Sequence, residues 1–171
     1  MGRILKKFTI ENVHGKSTDI GKIDSGADVT LVRLDIGRKL GVDPAIAEKL
    51  IAIGGIGQQR LIGIEVPAQV RVGRASATLT VVVPIGRYDA KTKKIKAVSQ
   101  QHNLIGHDFL QATKSKIDFS RPIDDAFVEG DLRVDDVVRL KITKQEKAAF
   151  REWARSQTPT AKRRAPRRKR R

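Results

Sequence analysis

Apolar and polar residues alternate along the middle of the chain. From Leu61 to Val72 every second residue is apolar, and after Gly73-Arg74 the alternation resumes from Ala75 to Val83. A period of two is typical of a strand with one buried and one solvated face. Two such runs around a glycine predict a β-hairpin, and Pro67 inside the first run indicates a bulge or a sheet edge.

Shorter patterns predict further strands and helices in the first part of the chain and near its centre. A strand is expected immediately before Asp24, and another from Lys116 to Phe119. Leu34 to Leu40 predicts a short helix that ends at Gly41. Asp43-Pro44 predicts the start of a second helix. The fold class that these patterns favour is mostly β with short helices.

Two segments of the second half of the chain predict a surface loop and a C-terminal helix. The stretch from Gly86 to His102 is polar and rich in lysine, which favours a surface loop or an insertion. Thr143-Lys-Gln-Glu146 is a capping box that opens a C-terminal helix. Phe150, Trp153 and Ala154 share one face of that helix. We expect this face to pack on the body or on a partner.

Length and composition limit the class of protein. The chain has 171 residues, a formal net charge of +16 and no cysteine, and this length allows one ordinary domain with appendages. No apolar run approaches the roughly 20 residues that span a bilayer, and the first residues lack the apolar core of a secretory signal. Three histidines without cysteine do not make a zinc cage. We therefore expect a cytoplasmic protein with no membrane segment, metal or cofactor.

Much of the positive charge lies at the C-terminal end. Residues 159–171 hold eight basic residues and no acid, which leaves 27 basic and 19 acidic residues in the rest of the chain. Like charges interrupted by prolines predict a disordered tail. The tail is either a solvating or localising segment or a contact site for nucleic acid or another polyanion, weakened by salt. Its cations are Lys162, Arg163, Arg164, Arg167, Arg168, Lys169, Arg170 and Arg171.

Candidate chemistry begins at Asp24-Ser25-Gly26, where a carboxylate ends a predicted strand. Taken alone, this tripeptide is an ordinary turn, because Asp and Ser bond nearby backbone N–H groups and Gly accepts positive φ. The apolar run Val29–Val32 that follows places the carboxylate between hydrophobic segments rather than at a solvated tip. Further on, Ile53-Gly54-Gly55-Ile56-Gly57 leads into the long hairpin, and in Leu104–Leu110 a strand joins a helix through Gly106.

In this order, Asp-Ser-Gly-Ala, Gly-Gly-Ile-Gly and Leu-Ile-Gly-His-Asp-Phe-Leu resemble the retropepsins, the retroviral-type aspartic proteases. The chain is also similar to their cellular relatives of the DNA-damage-inducible type. The resemblance runs from about Gly21 to Phe119. It implies a single-lobe retropepsin-like acid-protease barrel over residues 1–120, followed by a partly helical extension, 121–157, and the basic tail, 158–171.

The resemblance implies a role for each matching residue. Asp24 would be catalytic, Ser25 would connect the two active-site loops of a dimer through its hydroxyl, and the Gly26 N–H would approach the carboxylate. Ala27 would line the cleft. Gly106 would lie in the turn before the helix that supports the active-site loop. The tip of the flap that closes over substrate would be Gly54, Gly55, Ile56 and Gly57.

One position departs from the family pattern. Viral relatives have an arginine after the late glycine, where it pairs with the acid that follows the alanine; here His107 would face Asp28. A histidine–aspartate contact would make the strength of the dimer vary between about pH 6 and pH 7. The alternative is a surface histidine without a partner.

Peptide hydrolysis without a metal or a covalent nucleophile can use two carboxylates that share a proton, one activating water while the other polarises or protonates the carbonyl. Only one Asp-Ser-Gly occurs in this chain, so the second carboxylate would come from a second copy. The sequence therefore predicts a homodimeric aspartic endopeptidase that acts on peptides or proteins through two Asp24 carboxylates, one from each subunit.

Other interpretations fit the sequence less well. A phosphate loop at Gly54–Gly57 lacks the following Lys-Ser/Thr and precedes a strand. A serine hydrolase at Ser25 lacks the Gly-x-Ser-x-Gly elbow. The alternative from another class is a scaffold that keeps the retropepsin fold for dimerisation while the tail binds a polyanion. Such a scaffold would have no evident need for the Asp24 carboxylate, since placing a charged group between apolar segments costs free energy.

Overall fold

A computed structural model of the chain describes residues 4–54, 60–98, 102–118, 120, 122, 126–129 and 142–157. In this part the predicted mostly β fold is confirmed, with few helices. The strands are β1 (Leu5–Asn12), β2 (Gly15–Ile23), β3 (Leu50–Gly54), β4 (Arg60–Val72), β5 (Ala75–Asp89), β6 (Lys94–Ala97), β7 (Asn103–Ile105), β8 (Ser115–Ile117) and β9 (Phe127–Glu129). The helices are α1 (Leu34–Lys39), α2 (His107–Ala112) and α3 (Lys144–Gln157).

One mixed sheet forms the body of the described chain. Its strands follow the order β6-β5-β4-β1-β2-β7, and β3 pairs with β4 beside this path. Antiparallel pairing joins all of these neighbours except β2 and β7, which are parallel. Strands β8 and β9 form a separate antiparallel pair. The parallel pairing therefore brings the end of β2 next to the end of β7.

The predicted hairpin is confirmed and is longer than expected. Its turn contains Gly73 at φ +59°, a conformation that glycine adopts without cost. Strand β5 continues to Asp89, beyond the predicted end at Val83. The register shifts between Ile62 and Gly63, so the irregularity lies there and not at Pro67.

Pro67 lies at an open stretch of strand edge, as its residue type indicated. Glu65 donates its N–H to Lys49 next to β3, and Gln69 pairs with β1 on the same side. Because backbone N–H directions alternate along a strand, the backbone nitrogen of Pro67 faces the gap between β1 and β3. Proline has no N–H to leave unpaired there.

Two predictions about irregular segments were wrong. The lysine-rich stretch after Gly86 is not a loop throughout, because β6 pairs with the end of β5 and buries Ile95 between outward-facing lysines. Asp43 does not start a helix. Its carboxylate accepts the N–H of Ala45 at 2.9 Å, and a single turn follows before the chain enters β3.

The other predicted elements agree more closely. Helix α1 ends before Gly41, which has φ +84°. Strand β2 ends directly before Asp24. Strand β8 covers the start of the predicted Lys116–Phe119 strand, and Phe119 itself lies outside the described residues.

The C-terminal helix packs on the body of the chain. Phe150 and Ala154 are buried in the same hydrophobic cluster as the sheet. The predicted capping box is confirmed, because Thr143 Oγ1 accepts the N–H of Glu146 at 3.2 Å and Glu146 Oε2 accepts the N–H of Thr143 at 2.8 Å. In the described residues no helix is long and apolar enough to cross a membrane.

Candidate active site

Asp24 follows the last residue of β2 and is held by the neighbouring strand. Its N–H donates to the Ile105 carbonyl at 3.0 Å, next to the parallel pair that Ile23 makes with Ile105. The Asp24 side chain is 25% exposed, so the carboxylate is partly buried yet open to a ligand. The sheet thus fixes the backbone from which this carboxylate projects.

Both carboxylate oxygens of Asp24 have partners within the chain. Oδ1 accepts the Gly26 N–H at 3.1 Å, as the family resemblance implied, and Oδ2 lies 2.6 Å from Lys22 Nζ. The Ala27 N–H donates to the Asp24 carbonyl at 3.1 Å and closes the turn. An ordinary Asp-Ser-Gly turn also has such backbone bonds. The packing beneath the loop at Asp24-Ser25-Gly26 distinguishes this loop from an ordinary turn.

Gly106 packs directly beneath the candidate active-site loop. A Cβ at this position would lie 2.5 Å from the Val29 backbone and 2.8 Å from the Ala27 carbonyl oxygen, distances that no real Cβ tolerates. The following residues bond the loop, with His107 N–H donating to Ala27 O at 2.7 Å and Asp108 N–H to Asp28 O at 3.2 Å. Helix α2 therefore begins against the loop.

The chain after the loop crosses between two strands. Leu31 exchanges two backbone hydrogen bonds of 2.8 Å with Leu104 of β7. On the other side, Val32 donates to Val82 O at 3.0 Å and Val82 donates to Thr30 O at 2.9 Å. Strands β5 and β7 therefore clamp the apolar run that follows Asp28.

A buried polar network that the sequence analysis missed ties this crossing to α2. Thr30 is fully buried, and its hydroxyl donates to Asp108 Oδ1 at 2.7 Å and accepts the Gly106 N–H at 3.1 Å. Asp108 Oδ2 accepts the Thr30 N–H at 3.0 Å. The signal available in the sequence was a threonine in an otherwise apolar run.

His107 contacts the loop at a different residue from the one expected. Its Nδ1 lies 3.4 Å from the Ser25 carbonyl oxygen, and its buried Nε2 has no hydrogen-bond partner among the described residues. Asp28 is exposed and makes no ion pair in that part of the chain. The histidine–aspartate contact is therefore not formed within the chain.

The top of the loop is exposed in the part of the chain that the structure describes. Ser25 and Gly26 are exposed, and the Ser25 hydroxyl makes no hydrogen bond in the described structure. A Cβ on Gly26 would meet only Asp24 Oδ1, at an ordinary 3.4 Å, and its φ lies outside the left-handed region. Nearby on the outer face of the β1–β2 hairpin, Leu5 and Ile20 are 54% and 58% exposed.

The candidate flap is described only at its base. Gly54 ends β3 opposite Arg60, the first residue of β4, so these two residues are the last described positions of the β3–β4 pair. Gly55, Ile56 and Gly57 lie outside the described residues. Arg60 forms an ion pair with Glu146 of α3, which joins the base of this hairpin to the C-terminal helix.

A sizeable groove lies away from Asp24. It has a volume of about 1070 Å³ and runs between the β1–β2 turn and β4, with exposed Val13 and Ile46 in its lining. None of residues 24–28 lines it. Within the described ranges, no group of three or more His, Asp or Glu side chains is placed to hold a metal ion.

No protein-family model matches this chain, and no curated protein matches its sequence.

Proposed function

We propose that this protein is a homodimeric aspartic endopeptidase with a retropepsin-like barrel. Two Asp24 carboxylates, one from each subunit, hold a water molecule and share one proton. One carboxylate takes a proton from the water as it attacks the peptide carbonyl, and the other protonates the carbonyl oxygen. Substrate lies extended beneath the β3–β4 hairpin and adds backbone hydrogen bonds like an extra strand.

The placement of Asp24 is the observation that carries the proposal. Asp24 is a partly exposed carboxylate at a strand end, it accepts the Gly26 N–H, and its loop packs on Gly106. These features support a catalytic role for Asp24. A carboxylate that only closed a turn would not need the crossing of Leu31 between two strands beneath it. A rigid scaffold under a reactive group keeps its geometry within the limits that catalysis needs.

The uncovered loop supports the dimer. Ser25 has an exposed hydroxyl without a partner in the described chain, and no contact among the described residues requires glycine at position 26. Both features are explained if the same loop of a second copy approaches across a two-fold axis. Exposed Leu5 and Ile20 on the adjoining strands give this contact an apolar component.

Cleavage of a peptide library between about pH 4 and 7 tests the proposal. We expect the wild type to cleave and Asp24→Asn to be inactive while remaining dimeric by sedimentation. Glu11→Gln is the matched control, because Glu11 is partly exposed and its single ion pair among the described residues, with Lys16, has little energetic value. Absence of cleavage by a wild-type protein shown to be dimeric would reject the proposal.

A second function, polyanion binding, is proposed for the basic tail, because eight cations without an acid in residues 159–171 favour electrostatic contact with a polyanion. In the alternative of a non-catalytic scaffold, the tail would bind a polyanion and the dimer would cleave no peptide. Binding to homopolymer RNA should fall steeply between roughly 50 and 200 mM salt. A chain ending at Thr158 should lose the binding, and indifference to both changes would refute the tail's role.

A further inference from the structure

Lys22 places a cation beside the candidate catalytic carboxylate. Its Nζ lies 2.6 Å from Asp24 Oδ2, and the two side chains are 32% and 25% exposed. The alternation along β2 explains the contact, because Ser17, Gly21 and Ile23 are buried on the inner face. Lys22 therefore projects to the same outer side as Asp24, two residues along the chain.

The ammonium of Lys22 retains unused hydrogen-bonding capacity. An ammonium group has three N–H donors. In the described chain, Asp24 is the only hydrogen-bond or ion-pair partner of Lys22. With its side chain about a third exposed, the group can bond an acceptor that arrives from outside.

We propose that Lys22 determines specificity by selecting substrates with an acidic side chain next to the cleaved bond. The inference rests on the proposed function, because it places the substrate over Asp24. Two carboxylates that share one proton carry one negative charge, while two Lys22 residues carry two positive charges. The cleft floor is then left with a net positive charge for the substrate to balance.

The chemistry of the substrate side chain decides its fit beside Lys22. A glutamate or aspartate accepts charge-assisted hydrogen bonds from the unused donors. A lysine or arginine is repelled, and an apolar side chain removes water from the ammonium without replacing the lost hydrogen bonds. Discrimination should therefore follow charge more than size.

Matched peptides test the inference once a cleaved sequence is known. Three versions carry Glu, Gln or Lys in turn at each residue that flanks the cleaved bond. For the wild type, kcat/KM should be about tenfold to a hundredfold higher for the Glu peptide than for the Gln peptide. The same order should appear in the binding of peptides whose cleavable bond is a reduced amide.

Variants assign the preference to Lys22. Lys22→Met should equalise the Glu and Gln peptides, and Lys22→Glu should favour the Lys peptide. Lys16→Met is the control, because Lys16 lies on the same face of β2 about 20 Å away. It should keep the wild-type ratio. Circular dichroism and sedimentation establish that each variant is folded and dimeric.

The outcomes separate this inference from the proposed function. If the wild type cleaves the Glu and Gln peptides equally, or if Lys22→Met keeps the preference, the inference is wrong and the peptidase proposal stands. If the dimeric wild type cleaves no peptide, the proposed function fails and the inference falls with it.

Discussion

Arg60 and Glu146 form a bidentate ion pair between the first residue of β4 and the first turn of α3. The second of its two contacts joins Arg60 Nη2 to Glu146 Oε2 at 3.0 Å. The Glu146 side chain is only 2% exposed, although Arg60 is 35% exposed. Glu146 also completes the capping box with Thr143, so one carboxylate fixes both the start of the helix and its position on the sheet.

This pair predicts a loss of stability in acid. Burial raises the pKa of the Glu146 carboxyl, but hydrogen bonds from Arg60 and Thr143 outweigh it, and the pKa lies below its ordinary value. A carboxyl with a lowered folded-state pKa stabilises the fold above its unfolded-state pKa and loses that contribution as the pH falls through the folded-state pKa. Glu146→Gln should therefore lower the free energy of unfolding by about 1.5–3 kcal/mol at pH 7.

Urea unfolding of wild type and Glu146→Gln at pH 7 and in steps below about pH 4.5 measures this effect. The difference between the two proteins should shrink as the pH falls. Glu152→Gln, at an exposed position of the same helix, should match the wild type at every pH. A difference that stays constant into acid would show that the ionised carboxylate is not the stabilising species.

Gly106 and Gly26 should respond differently to alanine. A Cβ at position 106 would collide with the Val29 backbone, whereas a Cβ at position 26 has ordinary space within the chain. Gly106→Ala should lower the free energy of unfolding by about 3 kcal/mol. Gly26→Ala should leave the unfolding of the monomer within about 0.5 kcal/mol of the wild type but weaken the dimer.

Urea unfolding at a concentration where the chain is monomeric, together with sedimentation at higher concentration, distinguishes the two glycine variants. If Gly106→Ala and Gly26→Ala destabilise the monomer equally, contacts within the chain constrain position 26. An unchanged dimer in Gly26→Ala would remove the close approach of a second copy as the reason for this glycine.

Elements with local chemistry could be predicted from the sequence. The capping box needs only Thr143 and Glu146, and the ends of α1 and β4 need only glycines with positive φ at positions 41 and 73. Strand β6 was missed because Ile95 is its single buried residue, and its pairing depends on the distant end of β5. Strands β1 and β3 were not assigned either, since they are defined by partners elsewhere in the sheet.

In the candidate site, too, features that depend on neighbouring residues could be predicted, and a contact between distant residues could not. Asp24-Ser25-Gly26 could be found as a motif because its residues are adjacent. The Lys22 contact follows from the two-residue period of a strand and was open to the same reasoning. The bond between Thr30 and Asp108 was not, because it joins residues 78 positions apart that only the crossing at Leu31 brings together.

Thr30→Val should destabilise the fold although it keeps the shape of the side chain. It leaves the buried Gly106 N–H without its acceptor and removes a donor to the part-buried Asp108 carboxylate. The expected loss is about 1–3 kcal/mol in the free energy of unfolding. Thr9→Val is the control, because its hydroxyl bonds Thr18 on the exposed face of β1 and should cost little.

Urea midpoints of the two threonine variants at neutral pH test this prediction. A Thr30→Val protein as stable as Thr9→Val would mean that the buried network adds nothing to the support of the loop. If Thr30→Val is destabilised, its remaining folded fraction should also have lower peptidase activity per dimer, since Thr30 fixes Gly106 beneath Asp24.

Ser25→Ala should weaken the dimer without affecting the folded monomer. The Ser25 hydroxyl is exposed and has no hydrogen bond in the described chain, so its removal breaks no hydrogen bond among those residues. If it bonds the second copy at both ends of a two-fold contact, two hydrogen bonds are lost together. At about 1 kcal/mol for each, the dissociation constant should rise roughly thirtyfold.

Sedimentation equilibrium of the wild type, Ser25→Ala and Ser25→Thr measures the effect on the dimer. Threonine keeps the hydroxyl, so Ser25→Thr should associate as the wild type does, and its activity should depend on protein concentration in the same way. Ser25→Ala should reach the wild-type activity per dimer only at higher concentration. If alanine and threonine give the same dissociation constant, the hydroxyl does not bridge the two subunits, and another contact must hold the loops together.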